Sequence, residues 1–315
     1  MKRVLVTGAS GFVGKHLIEK LVLSPDLDIF ATVYSSPESL SQFMPTDKIF
    51  SLDLTESDKV LELVQSVRPD IIYNLAALSI VQNSVENAKN VLTSNIALQY
   101  NLLESMRLHA PYCRFIAICS ANEYGLVKES DLPIDELTPL MPLNPYATSK
   151  VAQDMLALQY YLAYDLDIVR LRPFNHTGSG QSIDFIIPSL AKQFVDIKAG
   201  KIAPKLLVGN IETVRDFTDV SDMVSAYSLA ADKCVKGEVY NVGFGKGISV
   251  REIIALLSEI AGIEVEVVVD KARVRRSDVP TLVSDSTKFR QTTGWAPTIK
   301  LKETLSHVYN YWLTK

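Results

Sequence analysis

The sequence predicts an α/β fold, with a doubly wound parallel sheet followed by a smaller C-terminal α/β domain. Three observations lead there. Short apolar, β-branched runs alternate with helix-period segments through the first half, and strands separated by helices pair in parallel with both faces covered. Three glycines crowd the first strand-to-helix turn. The length, 315 residues, suits one large domain or roughly two smaller ones.

In chain order, residues 3–7 read as a buried strand and 12–23 as a helix. Strands follow at 29–34 and 48–51, then a helix over 56–67 that ends before Pro69, and a strand at 70–75. A long helix over 87–109 is stopped by Pro111, and a strand spans 113–120. A helix over 144–164 and a strand over 167–172 complete the pattern, and right-handed crossovers wind these strands into one sheet. After Pro173 the elements shorten, punctuated by Gly178, Gly180, Pro188, Pro204 and Gly209. Helical patterns at 221–231, 249–261 and 301–313 alternate there with β-type segments at 206–208, 238–242 and 265–269. The expected division is 1–172 and 173–315, with strands and helices shared across a soft boundary.

Composition narrows the function. Lys plus Arg is 32 and Asp plus Glu is 36, a net charge of −4, which argues against a nucleic-acid partner. Three cysteines in no CxxC spacing argue against a disulfide scaffold or structural zinc, and point to reduced thiols in the cytoplasm. No apolar run reaches the ~18 residues of a membrane span. Met1-Lys2-Arg3 opens like a signal peptide, but Thr7, Gly8, Ser10 and Gly11 interrupt the apolar stretch and Lys15-His16 close it.

Gly8, Gly11 and Gly14 stand in TGASGFVG, between the first strand and the first helix. Such glycines permit a tight turn, a close approach of backbone to a pyrophosphate, and helix-on-sheet packing. The helix start, with Phe12 and Val13, then offers N–H groups to the phosphates, as in a Rossmann dinucleotide site. At the end of the second strand no Asp or Glu awaits a ribose 2′-hydroxyl. Ser35 and Ser36 can instead donate to a 2′-phosphate, so NADP(H) is favoured and NAD(H) is the alternative; a plain loop is an equally good reading of these serines. Leu75-Ala76-Ala77 supply small residues where a cofactor crosses the sheet edge.

Tyr146 and Lys150 in NPYATSK lie one helical turn apart, following the glycine turn by 132 residues (Gly14 to Tyr146). A tyrosine is a poor acid–base group at neutral pH, and a nearby ammonium lowers its pKa. Ser120 ends the fifth strand, where doubly wound sheets hold ligands, and its hydroxyl suits a carbonyl oxygen.

With these motifs together, the chain resembles the extended short-chain dehydrogenases/reductases of the epimerase/dehydratase group, which act on nucleotide-diphosphate sugars. TGASGFVG, Leu75-Ala76-Ala77, SANEYG, NPYATSK, RPFNHTGSGQ and VRDFTDV carry the resemblance over nearly the whole length. It implies Ser120, Tyr146 and Lys150 as the catalytic set and Asp53-Leu54 as an adenine-contacting pair. It implies Arg215 and Arg276 for the diphosphate, with Asn175, His176 and Gln181 beside it. Lys192 and Asn210 would meet the base, and Glu123 the sugar hydroxyls. Asp216 and Asp219 are expected to orient the arginine or cap a helix. No metal site is expected, because His176 has no ligating cluster nearby in sequence. A homodimer through the helices at 87–109 and 144–164 follows from the same resemblance.

One departure separates reaction types. The group's 4,6-dehydratases carry an acidic residue two positions after the catalytic Ser/Thr, and here that position is Asn122. An amide cannot cycle a proton, which favours reduction of a 4-keto sugar nucleotide over dehydration. The alternatives are a shifted turn in which Glu123 serves as the acid, a 4-epimerase or 4,6-dehydratase with retained cofactor, and a catalytically silent binding protein.

Overall fold

The computed structural model describes residues 1–34, 37–79, 85–270 and 279–315. Strands β1 (Lys2–Thr7), β2 (Leu27–Val33), β3 (Ile49–Ser51), β4 (Ile71–Asn74), β5 (Arg114–Ile118) and β6 (Ile168–Pro173) join β10 (Val239–Val242) in one seven-stranded sheet. The order is β10-β6-β5-β4-β1-β2-β3, and every pairing is parallel. Strand order reverses direction between β1 and β4, the place where such sheets open a ligand crevice.

Alternation along each strand feeds two cores. Val4 and Val6 of β1 point to one face, packing with Leu17, Ile18 and Leu21 of α1 (Phe12–Leu21). Leu5 points to the other, toward Val60 and Val64 of α2 (Ser57–Val67), Leu102 and Met106 of α3 (Ala88–His109), and Ala157 and Tyr160 of α4 (Pro145–Tyr164).

The second lobe is organised around β9 (Val214–Asp219). It pairs antiparallel with β11 (Gly247–Ser249) and in parallel with β13 (Thr281–Leu282) and β7 (Asn175–Thr177). A separate pair joins β8 (Lys205–Val208) to β12 (Glu266–Val269). Helices α5 (Ile186–Lys198), α7 (Val250–Ala261) and α9 (Leu301–Leu313) bury Phe194, Ile253, Leu257 and Leu305 in a common core.

The chain also returns to the first lobe after residue 172. Met223 and Tyr227 of α6 (Val220–Lys233) and Phe289 of α8 (Thr287–Thr293) sit in the same core as α1, and β10 hydrogen-bonds β6. The sequence reading lacked α5, because Pro188 reads as a breaker; it lies in the helix's first turn, where no intrahelical N–H is required. The predicted strand 113–120 stops at Ile118, because Ser120 instead caps a 3₁₀ turn over Ala121–Glu123.

Candidate active site

The glycine turn closes at the β1/β4 junction. Gly8 has φ +65, and a Cβ there would lie 2.8 Å from Ala76 Cα and N. A Cβ on Gly14 would lie 2.5 Å from the Gly8 carbonyl oxygen, so α1 can approach the turn only without one. Gly11 donates its N–H to the Gly8 carbonyl at 3.0 Å and offers no side-chain cap to α1. The first-turn N–H groups, around Phe12 and Val13, therefore suit an outside acceptor such as a pyrophosphate. Thr7 Oγ1 donates to Asn74 Oδ1 (2.8 Å), and the Ala76 N–H donates back to Thr7 (3.4 Å), fixing the Leu75-Ala76-Ala77 segment against β1. Asp53 folds an Asx turn onto Thr55, and Leu54 is buried with its carbonyl held by Asn101. The crevice thus fits a dinucleotide. Ser35 and Ser36 lie outside the described residues.

Tyr146 and Lys150 stand at the start of α4, which Asn144 caps through Ala147 N–H (2.8 Å) with Pro145 as its first residue. Both are buried, with the Ser120 hydroxyl close enough to the Tyr146 phenol to act to lower its pKa. Burial, with the Glu123 carboxyl and Cys119 adding, pushes that phenol up to about 12. The expected depression by Lys150 is not found: its ammonium donates to the Ile118 carbonyl at 2.8 Å, and burial lowers its own pKa.

A buried polar chain that the sequence reading missed holds this helix in place. Ser149 Oγ donates to the Tyr146 carbonyl (2.7 Å), and Asn95 Nδ2 donates to Ser149 (2.9 Å). Gln153 donates to the Asn95 carbonyl, Gln99 to the Gln153 carbonyl, and Asn74 to Gln99, which returns the chain to Thr7. The signal was present as Asn95/Gln99 and Ser149/Gln153, polar pairs at the four-residue spacing of one helix face.

Beneath Ser120 lies an ion-pair cluster. Asp154 accepts from Arg170 Nη1 (2.6 Å) and from Arg172 Nη2 (2.7 Å) and Nε (2.8 Å). Glu123 is fully buried, with Oε1 accepting from the Ser120 N–H at 2.8 Å and Oε2 lying 3.4 Å from Arg172. Burial and the Asp154 charge hold the Glu123 carboxyl well above the usual range. The expectation that Glu123 meets sugar hydroxyls is therefore not met, since it faces the protein interior and braces the Ser120 turn. The shifted-turn alternative fails for the same reason. Cys119 also converges on Glu123 and Asp154, yet both Asp154 oxygens are held by arginines. Tyr124 packs in the core and donates to Asn241 (2.7 Å).

On the second lobe's side the expected substrate residues divide. Asn175 is half-buried on β7, paired with Phe217 of β9. His176 donates through Nδ1 to the Phe174 carbonyl (3.0 Å) and lies parallel to Phe12 at 6.4 Å, and burial lowers its pKa. Arg215 sits on the same β9, with Nη1 donating to the Val214 carbonyl (2.9 Å). Gln181 departs from expectation: its oxygen accepts from Thr177 and its amide donates to the His176 carbonyl, so it closes its own loop. Lys192 is bridged to Asp196 one turn along α5 (2.5 Å), and Asn210 is exposed in an Asx turn onto Glu212. Asp219 caps α6, whereas Asp216 accepts from Ser284, Phe244 and Gly245 rather than from Arg215. Arg276 lies outside the described residues.

Comparison with known proteins places this geometry. Over 311 residues the chain is 36% identical to a GDP-6-deoxy-D-mannose reductase of Pseudomonas aeruginosa, covering 99% of this chain and 97% of the relative. It superposes with a TM-score of 0.89 and 34% identity on the structure of RMD from Pseudomonas aeruginosa complexed with NADPH, covering 100% and 99% of the two chains. The Thermus thermophilus UDP-glucose 4-epimerase complexed with NAD gives a TM-score of 0.85 at 27% identity, with 98% of each chain covered. Residues 5–308 match the family model described as GDP-mannose 4,6 dehydratase, and with the fold and the Ser120–Tyr146–Lys150 arrangement the chain belongs to that family.

Proposed function

We propose that this NAD(P)-dependent oxidoreductase reduces the 4-keto group of a nucleotide-diphosphate 6-deoxy-4-keto sugar, GDP-6-deoxy-4-keto-D-mannose giving GDP-D-rhamnose, with NADP(H) as the favoured cofactor. The observation that carries the reading is the buried Tyr146 beside Ser120, whose hydroxyl is held by Asn122, with the Glu123 carboxylate of the 121–123 turn directed to the Ser120 backbone N–H instead. Bound in the crevice, a nicotinamide supplies the hydride that adds to the keto carbon. Tyr146 gives its phenolic proton to the oxygen, and Ser120 donates a hydrogen bond to that oxygen as charge develops. A phenol held at about 12 is fully protonated at neutral pH, the state an acid needs. Lys150 steadies the end of β5 through the Ile118 carbonyl and would hold the nicotinamide ribose of a bound cofactor. Arg215 and the second-lobe polar groups Asn175 and His176 hold the sugar nucleotide. The relative named as a GDP-6-deoxy-D-mannose reductase supports the substrate, and the NADPH-bound neighbour supports the cofactor.

The copies pair through α3 and α4, which pack on each other and expose Tyr100, Leu108, Leu162 and Tyr164. No described helix is long and apolar enough to cross a membrane, and we place the enzyme in the cytoplasm, where its buried free thiols Cys113, Cys119 and Cys234 stay reduced. The test is stoichiometry: NADPH consumed one for one with GDP-6-deoxy-4-keto-D-mannose, and the product identified by NMR. Product formed without net NADPH oxidation would instead assign an epimerase or dehydratase.

A further inference from the structure

A carboxylate taken out of water must find donors, and each donor ties a segment of chain to it. Asp216 of β9 is fully buried and accepts four hydrogen bonds from two segments distant in sequence. The Phe244 and Gly245 N–H groups reach it at 3.0 and 2.9 Å, and the Ser284 N–H and hydroxyl at 3.2 and 2.5 Å. Gly243 lets the first segment close in: a Cβ there would lie 2.4 Å from Ser284 Oγ and 2.7 Å from Asp216 Oδ2.

Both segments border the crevice. Residues 243–245 leave the carboxyl end of β10, the edge strand of the seven-stranded sheet, and such sheets hold ligands beyond their carboxyl ends. Ser284 follows β13, whose Leu282 packs with Ala121 and Tyr124 of the turn after Ser120. Arg215 precedes Asp216 on β9, so strand alternation sets the two on opposite faces. We propose that Asp216 is a positioning residue for diphosphate recognition: by pinning β9 to the crevice rim and to the segment behind the Ser120 turn, it sets where the Arg215 guanidinium stands. It acts through the strand, without contact with the substrate. The inference rests on the functional reading above, in which Arg215 holds the sugar nucleotide.

Asp216→Asn keeps the size of the side chain. With its amide oxygen at the Oδ2 position it still accepts from Gly245 and Ser284, but its NH2 then faces the Phe244 N–H, donor against donor. The rim segment must retreat. GDP, the probe in titration calorimetry, should bind about tenfold more weakly, KM for the 4-keto sugar nucleotide should rise in step, and NADPH affinity should stay within about twofold of the parent. A merely structural role would lower Tm without this split between substrate and cofactor. A double-mutant cycle with Arg215→Ala is decisive: once the arginine is gone, Asp216→Asn should cost less than about twofold in GDP affinity. Unchanged GDP affinity in Asp216→Asn, a loss of the same size in the Arg215→Ala background, or an equal loss of NADPH affinity overturns the proposal. Should Asp216→Asn fail to fold, Ser284→Ala removes one donor and should weaken GDP binding about two- to threefold, again only while Arg215 is present; no weakening, or one that survives in Arg215→Ala, overturns it. A parent that neither binds GDP nor oxidises NADPH with the 4-keto sugar nucleotide brings down the functional reading and this inference with it; with both present, the cycle bears on Asp216 alone.

Discussion

Replacing Arg172 by methionine should destabilise the protein and loosen the turn that presents Ser120. Arg172 is 4% exposed and touches Asp154, Glu123 and Tyr124, with the Tyr124 contact at 3.0 Å. Removing one partner of a buried ion pair costs about 3–5 kcal/mol. The lower end applies, because Arg170 stays on Asp154 at 2.6 Å and Glu123 can take up a proton. An unfolding entropy of about 2.1 cal/mol/K per residue over 315 residues converts each kcal/mol to about 1.5 °C, so Tm should drop by about 5 °C. The pH dependence has a definite sign. A raised folded pKa destabilises parent and variant alike once pH passes the unfolded value of 4.5; losing Arg172 raises the Glu123 carboxyl further, so the deficit should grow only as pH climbs past the parent's already raised Glu123 pKa, and shrink on acidification. Adding Glu123→Gln should return part of the loss and flatten that dependence. Calorimetry across pH reads both effects. A Tm within about 1 °C of the parent, or a deficit independent of pH, would refute a charge-balancing role for Arg172.

Tyr146→Phe should lower turnover by about 10²–10⁴-fold while NADPH still quenches protein fluorescence with unchanged affinity. Because the phenol lies at about 12, keto reduction should be insensitive to pH from about 6 to 9, and the reverse oxidation, which needs phenolate, should rise with pH; steady-state rates in both directions test the sign. Gly14→Ala puts a Cβ 2.5 Å from the Gly8 carbonyl, so α1 must retreat and cofactor affinity should weaken about tenfold, read by titration calorimetry. In Gln99→Leu the Asn74 and Gln153 partners lose their shared amide, and Tm should fall by about 2–4 °C with little change in KM.

The parts most legible in the sequence are those set by local chemistry. The β1 apolar run, the glycines at 8, 11 and 14, and the i, i+4 pair Tyr146/Lys150 each follow from short-range spacing; the structure sets the glycine turn against Ala76 after β4 and Lys150 against the end of β5. Direction is what spacing leaves open. Glu123 is one residue from Asn122, yet it points into the protein while Asn122 reaches Ser120, because a 3₁₀ turn replaces strand alternation after Ile118. Asp216, a charged residue within β9, escapes a strand reading because its compensation is distant: Ser284 is 68 residues away. Lys150 was expected to act on its neighbouring phenol, but a backbone carbonyl on another strand holds its ammonium.

The pairing of β10 with β6 has a consequence for how the polypeptide can be made and cut. The first lobe's sheet is completed only when residues 239–242 arrive, and α6 shields its core only once residues 220–233 exist. A ribosome that has extruded residues 1–172 has therefore released an open sheet edge and an uncovered apolar face, the features that invite aggregation. Nascent chains of this protein should need chaperone protection until roughly three-quarters of the length has emerged, and a fragment ending at residue 172 should be recovered as inclusion bodies rather than as an isolated dinucleotide-binding unit.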